Sequence, residues 1–138
     1  MGENQAVEKA VILVVEDEAI IRMSAVDFLE EAGFSVLEAS NADIAVQILG
    51  SRSDILAVFT DIEMPGSLCG LKLAKAIHDR WPPIHVIGAS GRYALSETDL
   101  LELARFIRKP YAPTEVLAAL GELLEWGTIP PDISPVQH

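Results

Sequence analysis

The sequence has a single cysteine, Cys69, which excludes an internal disulfide. It has no apolar run near the roughly 18 residues of a membrane-spanning helix, and its polar start shows no signal-peptide core. We therefore expect a cytoplasmic protein without a membrane partner. Basic residues are also few. The sequence has 10 Lys and Arg and 21 Asp and Glu, which gives a net charge of −11. Such a charge would repel a phosphate backbone, so direct nucleic-acid binding is not expected.

The chain divides into three ranges of different composition. With 138 residues, half of them apolar, it is long enough for one domain with a buried core. Residues 1–9 are polar, residues 10–126 carry the apolar pattern, and residues 127–138 are rich in proline. We predict an N-terminal segment, a single domain, and a tail or linker stub.

Apolar runs alternate with stretches of helical spacing along residues 10–126. The predicted strands are 11–15, 34–39, 55–60, 84–90 and 105–109. The predicted helices run from Ile20 to a stop at Gly33, from a cap at Ser40 or Asn41 to Gly50, and over 70–80, 95–104 and 113–125. In the first helix, the residues that recur on one side are Ile20, Ile21, Ser24, Ala25, Phe28 and Leu29. Because the strands are apolar along their whole length, the pattern predicts an α/β fold with a parallel sheet and helices on both faces.

Polar residues follow four of the five predicted strands. Glu16 and Asp17 follow strand 1, Asp61 follows strand 3, Ser90 ends strand 4 and Lys109 ends strand 5. In an open α/β sheet, ligands bind at the carboxyl ends of the strands. Three carboxylates that meet there repel one another unless a hard divalent cation lies among them. The sequence therefore predicts a Mg²⁺ site, which Mn²⁺ would also accept.

A magnesium site of this kind suggests phosphoryl chemistry. Mg²⁺ commonly bridges protein carboxylates and phosphoryl oxygens, and an aspartate can itself be the nucleophile. Asp61 would then accept a phosphoryl group. Ser90 would donate a hydrogen bond to one phosphoryl oxygen, and the Lys109 ammonium would neutralise another.

Four stretches together resemble the receiver domain of two-component response regulators. They are "VILVVEDE", "FTDIEMPG", "IGASG" and "FIRKPY", and the resemblance runs from about residue 10 to 125. It implies a flavodoxin-like (βα)5 fold with strand order 2-1-3-4-5. It also implies that a sensor histidine kinase or a histidine phosphotransfer protein phosphorylates Asp61, and that a downstream protein or output domain receives the signal. A homodimer is among the assemblies it admits.

The resemblance also implies roles for individual residues. It assigns metal binding to Asp17 and Asp61 directly, to Glu16 mainly through water, and to the backbone carbonyl of Glu63. The peptide bond of Lys109–Pro110 is expected to be cis. The domain would be mainly regulatory, with Mg²⁺-dependent self-phosphorylation and autodephosphorylation.

The implied switch involves Ser90 and Phe106. The output surface would be the face formed by the predicted helix 95–104, strand 5 and the last helix. Glu63 and Arg92, two positions beyond Asp61 and Ser90, would modulate the phosphate lifetime by pairing across the opening and hindering the attacking water.

Two spacings depart from the family pattern. Gly70 stands five residues after Pro65, so that loop is one residue longer than the pattern expects, and only 19 positions separate Ser90 from Lys109. We therefore expect the fourth helix to be short.

Two other functions are consistent with parts of the sequence. One is an aspartate-nucleophile phosphohydrolase, which would need its second acid two residues beyond the nucleophile and its nucleophile on the first strand. The other is a pseudo-receiver that binds partners without phosphorylation. The full set of Asp17, Asp61, Ser90 and Lys109 argues against the second alternative.

Overall fold

A computed structural model describes residues 9–64, 69–91 and 102–124. The strands are β1 (Val11–Val15), β2 (Ser35–Ala39), β3 (Ile55–Asp61), β4 (His85–Ser90) and β5 (Arg105–Arg108). The helices are α1 (Ala19–Glu31), α2 (Ala42–Ser51), α3 (Gly70–Arg80) and α4 (Pro113–Leu123). All strand pairs are parallel, in the order β2-β1-β3-β4-β5. The predicted fold class and strand order are confirmed.

The two faces of the sheet carry two separate core clusters. Successive side chains of a strand point to opposite faces, so β1 sends Ile12 and Val14 to one side and Leu13 to the other. The first cluster contains Leu29 of α1 and Leu120 of α4. The second cluster is closed by α2 and α3. The helices therefore lie on both faces, and the carboxyl ends of the central strands remain at one edge.

Two of the predicted helix boundaries are confirmed and one is wrong. Gly33 follows α1 with φ 105°, and the Asn41 side chain accepts a hydrogen bond of 2.8 Å from the Ile44 amide at the start of α2. Gly50, however, does not end α2. The helix includes Ser51, and the chain leaves it only at Arg52, which is extended at φ −135°.

The side of α1 on which the sequence pattern repeats is only partly buried. Ala25 and Leu29 are buried, whereas Ile20 is 82% exposed and Ser24 is exposed. The inner stripe follows the i, i+4 spacing of Ile21, Ala25 and Leu29. Ile20 precedes this stripe by one residue, which is a rotation of about 100° around the helix axis.

The predicted helix 95–104 lies mostly outside the described residues, and its last three residues are not helical. At Ala104 the amide already donates a hydrogen bond of 2.8 Å to the Val86 carbonyl of β4. The chain therefore enters the edge of the sheet before β5 begins. Among the helices of the described ranges, none combines the length and apolar character that crossing a bilayer requires.

Candidate functional site

Four strand ends bring the predicted site residues to one edge of the sheet. Glu16 follows β1, Asp61 ends β3, Ser90 ends β4, and Lys109 directly follows β5. Because β1, β3, β4 and β5 are neighbours and all parallel, these residues lie side by side. Asp17 lies beside Glu16 in the loop that leads to α1.

Three carboxylates lie close together at this edge. Glu16, Asp17 and Asp61 each offer one carboxylate oxygen, and these oxygens lie within 4.8 Å of one another. Glu16 and Asp61 are buried at 5% and 6% exposure, whereas Asp17 is exposed. A cluster of hard oxygen donors with one open side has the chemistry that Mg²⁺ binding requires.

Lys109 provides a positive charge next to two of the acids. Its Nζ atom lies 2.9 Å from Oδ1 of Asp61 and 3.8 Å from Oε1 of Glu16. Burial alone would lower the pKa of Lys109, but the hydrogen bond and charge of Asp61 together with the Glu16 charge raise it. The ammonium therefore stays protonated and holds the Asp61 carboxylate in place.

Burial raises the pKa of two of the acids although Lys109 lies next to both. Burial, together with the nearby negative charge of Asp61, raises the pKa of Glu16 to about 7, although the Glu18 amide donates a hydrogen bond to the Glu16 carboxylate. Burial also raises the pKa of Asp61, despite its hydrogen bond from Lys109. Excess negative charge at a partly buried oxygen cluster favours a bound cation, so the residues present fit a divalent metal.

Glu63, two residues after Asp61, contacts both Asp61 and the end of β4. The Glu63 amide donates a hydrogen bond of 3.2 Å to Oδ1 of Asp61. The Glu63 carboxylate accepts hydrogen bonds from the Ser90 hydroxyl and, at 3.3 Å, from the Gly91 amide. Arg92 lies outside the described residues, so its pairing with Glu63 stays a prediction.

The predicted switch residues lie on neighbouring strands. Ser90 is fully buried at the end of β4. Phe106 is half-buried on β5, where its register partner in β4 is Gly88. The amide of Lys109 donates a hydrogen bond of 2.9 Å to the Ser90 carbonyl, and the Lys109–Pro110 bond is cis as expected.

Arg22 of α1 is a site residue that the sequence did not reveal. Its Nη1 donates a hydrogen bond of 2.8 Å to the Glu16 carbonyl, and its Nε donates one of 3.0 Å to Oε1 of Glu38 in β2. Arg22 thereby fixes the backbone of the acidic loop against the neighbouring strand. The spacing of an arginine six residues after an acid gives no signal of this contact by itself.

Tyr111 is a second residue that the sequence did not single out. Its ring meets Phe59 edge-on at a centroid distance of 5.5 Å and Phe28 at 6.4 Å. It also lines a cavity of about 10 Å³ together with Asp61 and Lys109. The ring thus closes the apolar side of the acid cluster and contributes to its burial.

Gly70 allows α3 to begin directly against the phosphoacceptor candidate. A Cβ atom at this position would lie 2.3 Å from the Asp61 carbonyl oxygen and 2.7 Å from Cα of Ile62. The Gly70 amide also donates a hydrogen bond of 3.2 Å to the Ile62 carbonyl. The sequence showed the unusual spacing of Gly70 but not the close backbone approach that requires a glycine.

Comparisons with known sequences agree with this geometry. The model of the response regulator receiver domain family matches residues 12–121. The phosphate regulon transcriptional regulatory protein PhoB of Pseudomonas aeruginosa is 34% identical over 119 residues, which are 82% of this chain and 51% of PhoB. The hydrogenase transcriptional regulatory protein HoxA of Cupriavidus necator is 32% identical over 124 residues, 86% of this chain and 25% of HoxA. The chain thus spans between a quarter and about half of these relatives.

Solved structures show the same fold. A CheY-like response regulator receiver domain protein of Methanospirillum hungatei superposes with a TM-score of 0.80 at 25% identity, over 86% of this chain and 95% of that one. The response regulator TrrA of Thermotoga maritima, solved in complex with Mg²⁺ and BeF, gives 0.76 at 28% identity, over 84% and 99%. The strand-end motifs, the sheet order and these matches agree, and the chain belongs to the response regulator receiver domain family.

Proposed function

We propose that Asp61 is the residue at which this receiver domain accepts its phosphoryl group. The observation that carries the proposal is the position of Asp61. It is a buried carboxylate at the end of the central strand β3, hydrogen-bonded by Lys109, with Glu16 and Asp17 within metal-binding distance.

The transfer is an in-line displacement. A carboxylate oxygen of Asp61 attacks the phosphorus of a phosphohistidine, the P–N bond breaks, and the imidazole nitrogen leaves with the electron pair and takes up a proton from solvent. The product is an aspartyl phosphate. Lys109 neutralises one phosphoryl oxygen, and the Ser90 hydroxyl donates a hydrogen bond to another.

The same residues support a Mg²⁺ site. Asp17 and Asp61 would bind the metal directly, Glu16 mainly through water, and Glu63 through its backbone carbonyl, with Mn²⁺ as a substitute. The close carboxylate oxygens and the raised pKa of Glu16 support this assignment. When bound, the metal supplies positive charge that offsets the carboxylates and the phosphoryl oxygens.

The donor and the receiver of the signal are proteins. A sensor histidine kinase or a histidine phosphotransfer protein would supply the phosphoryl group. One arrangement is a longer protein with an output domain, because the chain spans only part of PhoB and HoxA. Another is a separate downstream partner or a homodimer. In either case, residues 10–126 form the receiver domain, with an N-terminal segment 1–9 and a tail or linker stub 127–138.

Phosphorylation would shift the population between two packings of one surface. The proposed output face consists of β5, α4 and the predicted helix 95–104, of which only residues 102–104 lie within the described ranges. Ser90 is buried next to β5, and Phe106 of β5 is half-buried. A phosphoryl group that draws Ser90 inward would leave space for the Phe106 ring, and its movement would change the shape of the output face.

Both alternatives have less support. The nucleophile candidate ends β3 rather than β1, the strand on which an aspartate-nucleophile phosphohydrolase would carry it. A pseudo-receiver would not need a buried Asp61 paired with Lys109.

The test is the intact mass after incubation with acetyl phosphate and Mg²⁺. The wild type should gain one phosphate and lose it slowly by autodephosphorylation, and EDTA should abolish the gain. Asp61→Asn should gain none. The control is Asp54→Asn, an exposed acid that pairs with Arg52 before β3 begins, and it should behave as wild type. A phosphate that persists in Asp61→Asn on another residue would overturn the assignment.

A further inference from the structure

The side chain of Glu63 bridges two donors at the end of β4. One carboxylate oxygen, Oε2, accepts a hydrogen bond from the Ser90 hydroxyl, and the other, Oε1, accepts one from the Gly91 amide at 3.3 Å. Ser90 is fully buried, and Glu63 is half-buried. The loop after β3 thus ties itself to the strand end that holds the candidate switch residue.

The contact uses a donor that phosphoryl binding also needs. A serine hydroxyl carries one hydrogen, and a backbone amide carries one. While the Ser90 hydrogen points to Glu63, it cannot point to a phosphoryl oxygen on Asp61. A carboxylate is an anionic oxygen acceptor like a phosphoryl group, so the two compete for the same kind of hydrogen bond.

The charge of Glu63 also acts on the site itself. Burial is the main cause of the raised pKa of Asp61, and the Glu63 charge adds to it. The Glu63 charge also helps to raise the pKa of Lys109, although the hydrogen bond and charge of Asp61 and the charge of Glu16 contribute more. The Glu63 carboxylate is therefore close enough to repel a phosphoryl group on Asp61. Repulsion by the Glu63 carboxylate and its competition for donors both oppose phosphorylation of Asp61.

We propose that the Glu63 carboxylate occupies the donors at Ser90 and Gly91 in the unphosphorylated domain, and that it must leave them before a phosphoryl group on Asp61 can be held there. This inference rests on the proposed function of Asp61. Glu63 is then a residue that sets the rate of phosphoryl transfer. Its departure also frees Ser90 to move toward the phosphoryl group.

The first test is the rate of phosphorylation by acetyl phosphate with saturating Mg²⁺, in wild type and three variants of Glu63. Glu63→Ala removes the acceptor and should be phosphorylated about fivefold faster, which corresponds to about 1 kcal/mol in the barrier. Glu63→Gln keeps a neutral and weaker acceptor, so its rate should lie between the rates of wild type and Glu63→Ala. The control Glu30→Gln removes one charge from the exposed side of α1 and should keep the wild-type rate.

Glu63→Asp separates the contact from a general charge effect. It keeps the negative charge, but its side chain is one methylene shorter and does not bridge both donors. We expect a rate above wild type. If Gln and Ala are faster while Asp equals wild type, the effect is general repulsion and the proposed contact is overturned. Unchanged or slower rates in Glu63→Ala overturn it as well.

The second test detects the contact by NMR without any phosphorylation. A charged acceptor shifts an amide proton resonance downfield, so the Gly91 amide should move upfield in Glu63→Ala and Glu63→Asp. An identical Gly91 resonance in wild type and Glu63→Ala would overturn the inference.

Different results would refute the role of Asp61 and the role of Glu63. A wild type that takes up no phosphate refutes the role of Asp61, whereas a phosphorylated wild type with unaltered Glu63 variants refutes only the role of Glu63.

Discussion

Lys109 Nζ lies 2.9 Å from Asp61 Oδ1, although 48 positions separate the two residues in the sequence. The contact exists because β3, β4 and β5 are consecutive neighbours in a parallel sheet and end at the same edge. Even so, the pKa of Asp61 is raised, because burial outweighs the ammonium. The folded domain without metal therefore holds the Asp61 charge at a cost in stability.

Neutralising Asp61 should stabilise the domain when no metal is present. We expect Asp61→Asn in EDTA to be more stable than wild type by about 1 kcal/mol, a typical size for a single substitution. The loss of its ion pair with Lys109 limits the gain. For a domain of this size, the melting temperature should rise by about 3–6 °C in thermal denaturation.

Magnesium should reduce this difference in stability. Millimolar Mg²⁺ binds only the folded form and should raise the melting temperature of the wild type, and it should raise that of Asp61→Asn less because a ligand is lost. If wild type does not respond to Mg²⁺ and Asp61→Asn gains nothing in EDTA, the acids at the strand ends are ordinary turn residues.

The stability of the metal-free domain should depend on pH through Glu16. Its pKa is about 7 in the folded state against an ordinary value of 4.5, so between these values the folded state binds a proton that the unfolded chain does not. The free energy of unfolding should therefore fall as pH rises from about 5 to about 7, and then level off. The difference between the two pKa values sets an upper limit of about 3 kcal/mol. The raised pKa of Asp61 acts with the same sign.

Urea denaturation in EDTA at several pH values between 5 and 8 measures this slope. Glu16→Gln should flatten it, whereas Glu31→Gln, a change on the exposed surface of α1, should leave it as in wild type. Saturating Mg²⁺ should also flatten it, because the metal competes with protons for the carboxylates. A slope of opposite sign in the wild type would contradict the raised pKa of Glu16.

The fold was predictable because β1, β3 and β4 carry apolar runs. Such runs are typical of strands buried on both faces, and the alternation with helices leaves few other topologies. Errors arose where local spacing was ambiguous. In α1, both Ile20 and Ile21 fit a helical stripe, and only the packing of the helix against the sheet decides which is buried. Gly50 shows that a glycine inside an exposed helical turn need not end the helix.

The acids, Ser90 and Lys109 could be placed from the sequence because parallel strands bring their carboxyl ends together. Arg22 could not, because its contact with Glu16 depends on the rotation of α1 about its axis. Nor could the bonds from Ser90 and Gly91 to Glu63, since they depend on the path of an irregular loop. Side chains on strand ends follow from topology, whereas those on helices and loops require tertiary geometry.

Removing Arg22 should weaken metal binding without touching a metal ligand. Its side chain is 18% exposed and links the Glu16 carbonyl to Glu38, so Arg22→Ala should lower Mg²⁺ affinity by about tenfold in calorimetric titration. Arg22→Lys keeps the charge but lacks the forked donor, so its Mg²⁺ affinity should lie between those of Arg22→Ala and wild type. Arg52→Ala, which loses an exposed pair with Asp54, should bind Mg²⁺ as wild type does. Equal affinities in Arg22→Ala and wild type would show that the acidic loop needs no such support.

Hydrogen exchange should locate the output face. With Mg²⁺ and beryllofluoride, we expect exchange to change in residues 102–104, in β5 and in α4, because Ser90 and Phe106 connect the site to these elements. Asp61→Asn should show no change under the same conditions. Changes limited to α1 and α2 in the wild type would count against the proposed face.

Alanine substitutions at Gly70 and Gly50 should have opposite effects on stability. In Gly70→Ala, the new Cβ would lie 2.3 Å from the Asp61 carbonyl oxygen, which is backbone and cannot rotate away. Either α3 or the end of β3 must shift, so we expect a loss of about 1–3 kcal/mol in the free energy of unfolding and slower phosphorylation of Asp61. Gly50→Ala is the matched control, because its Cβ meets nothing within 4 Å inside α2, and alanine there should stabilise the helix by about 0.5–1 kcal/mol. Urea denaturation measures both free energies, and equal effects of the two substitutions would mean that the approach of α3 to Asp61 is not tight.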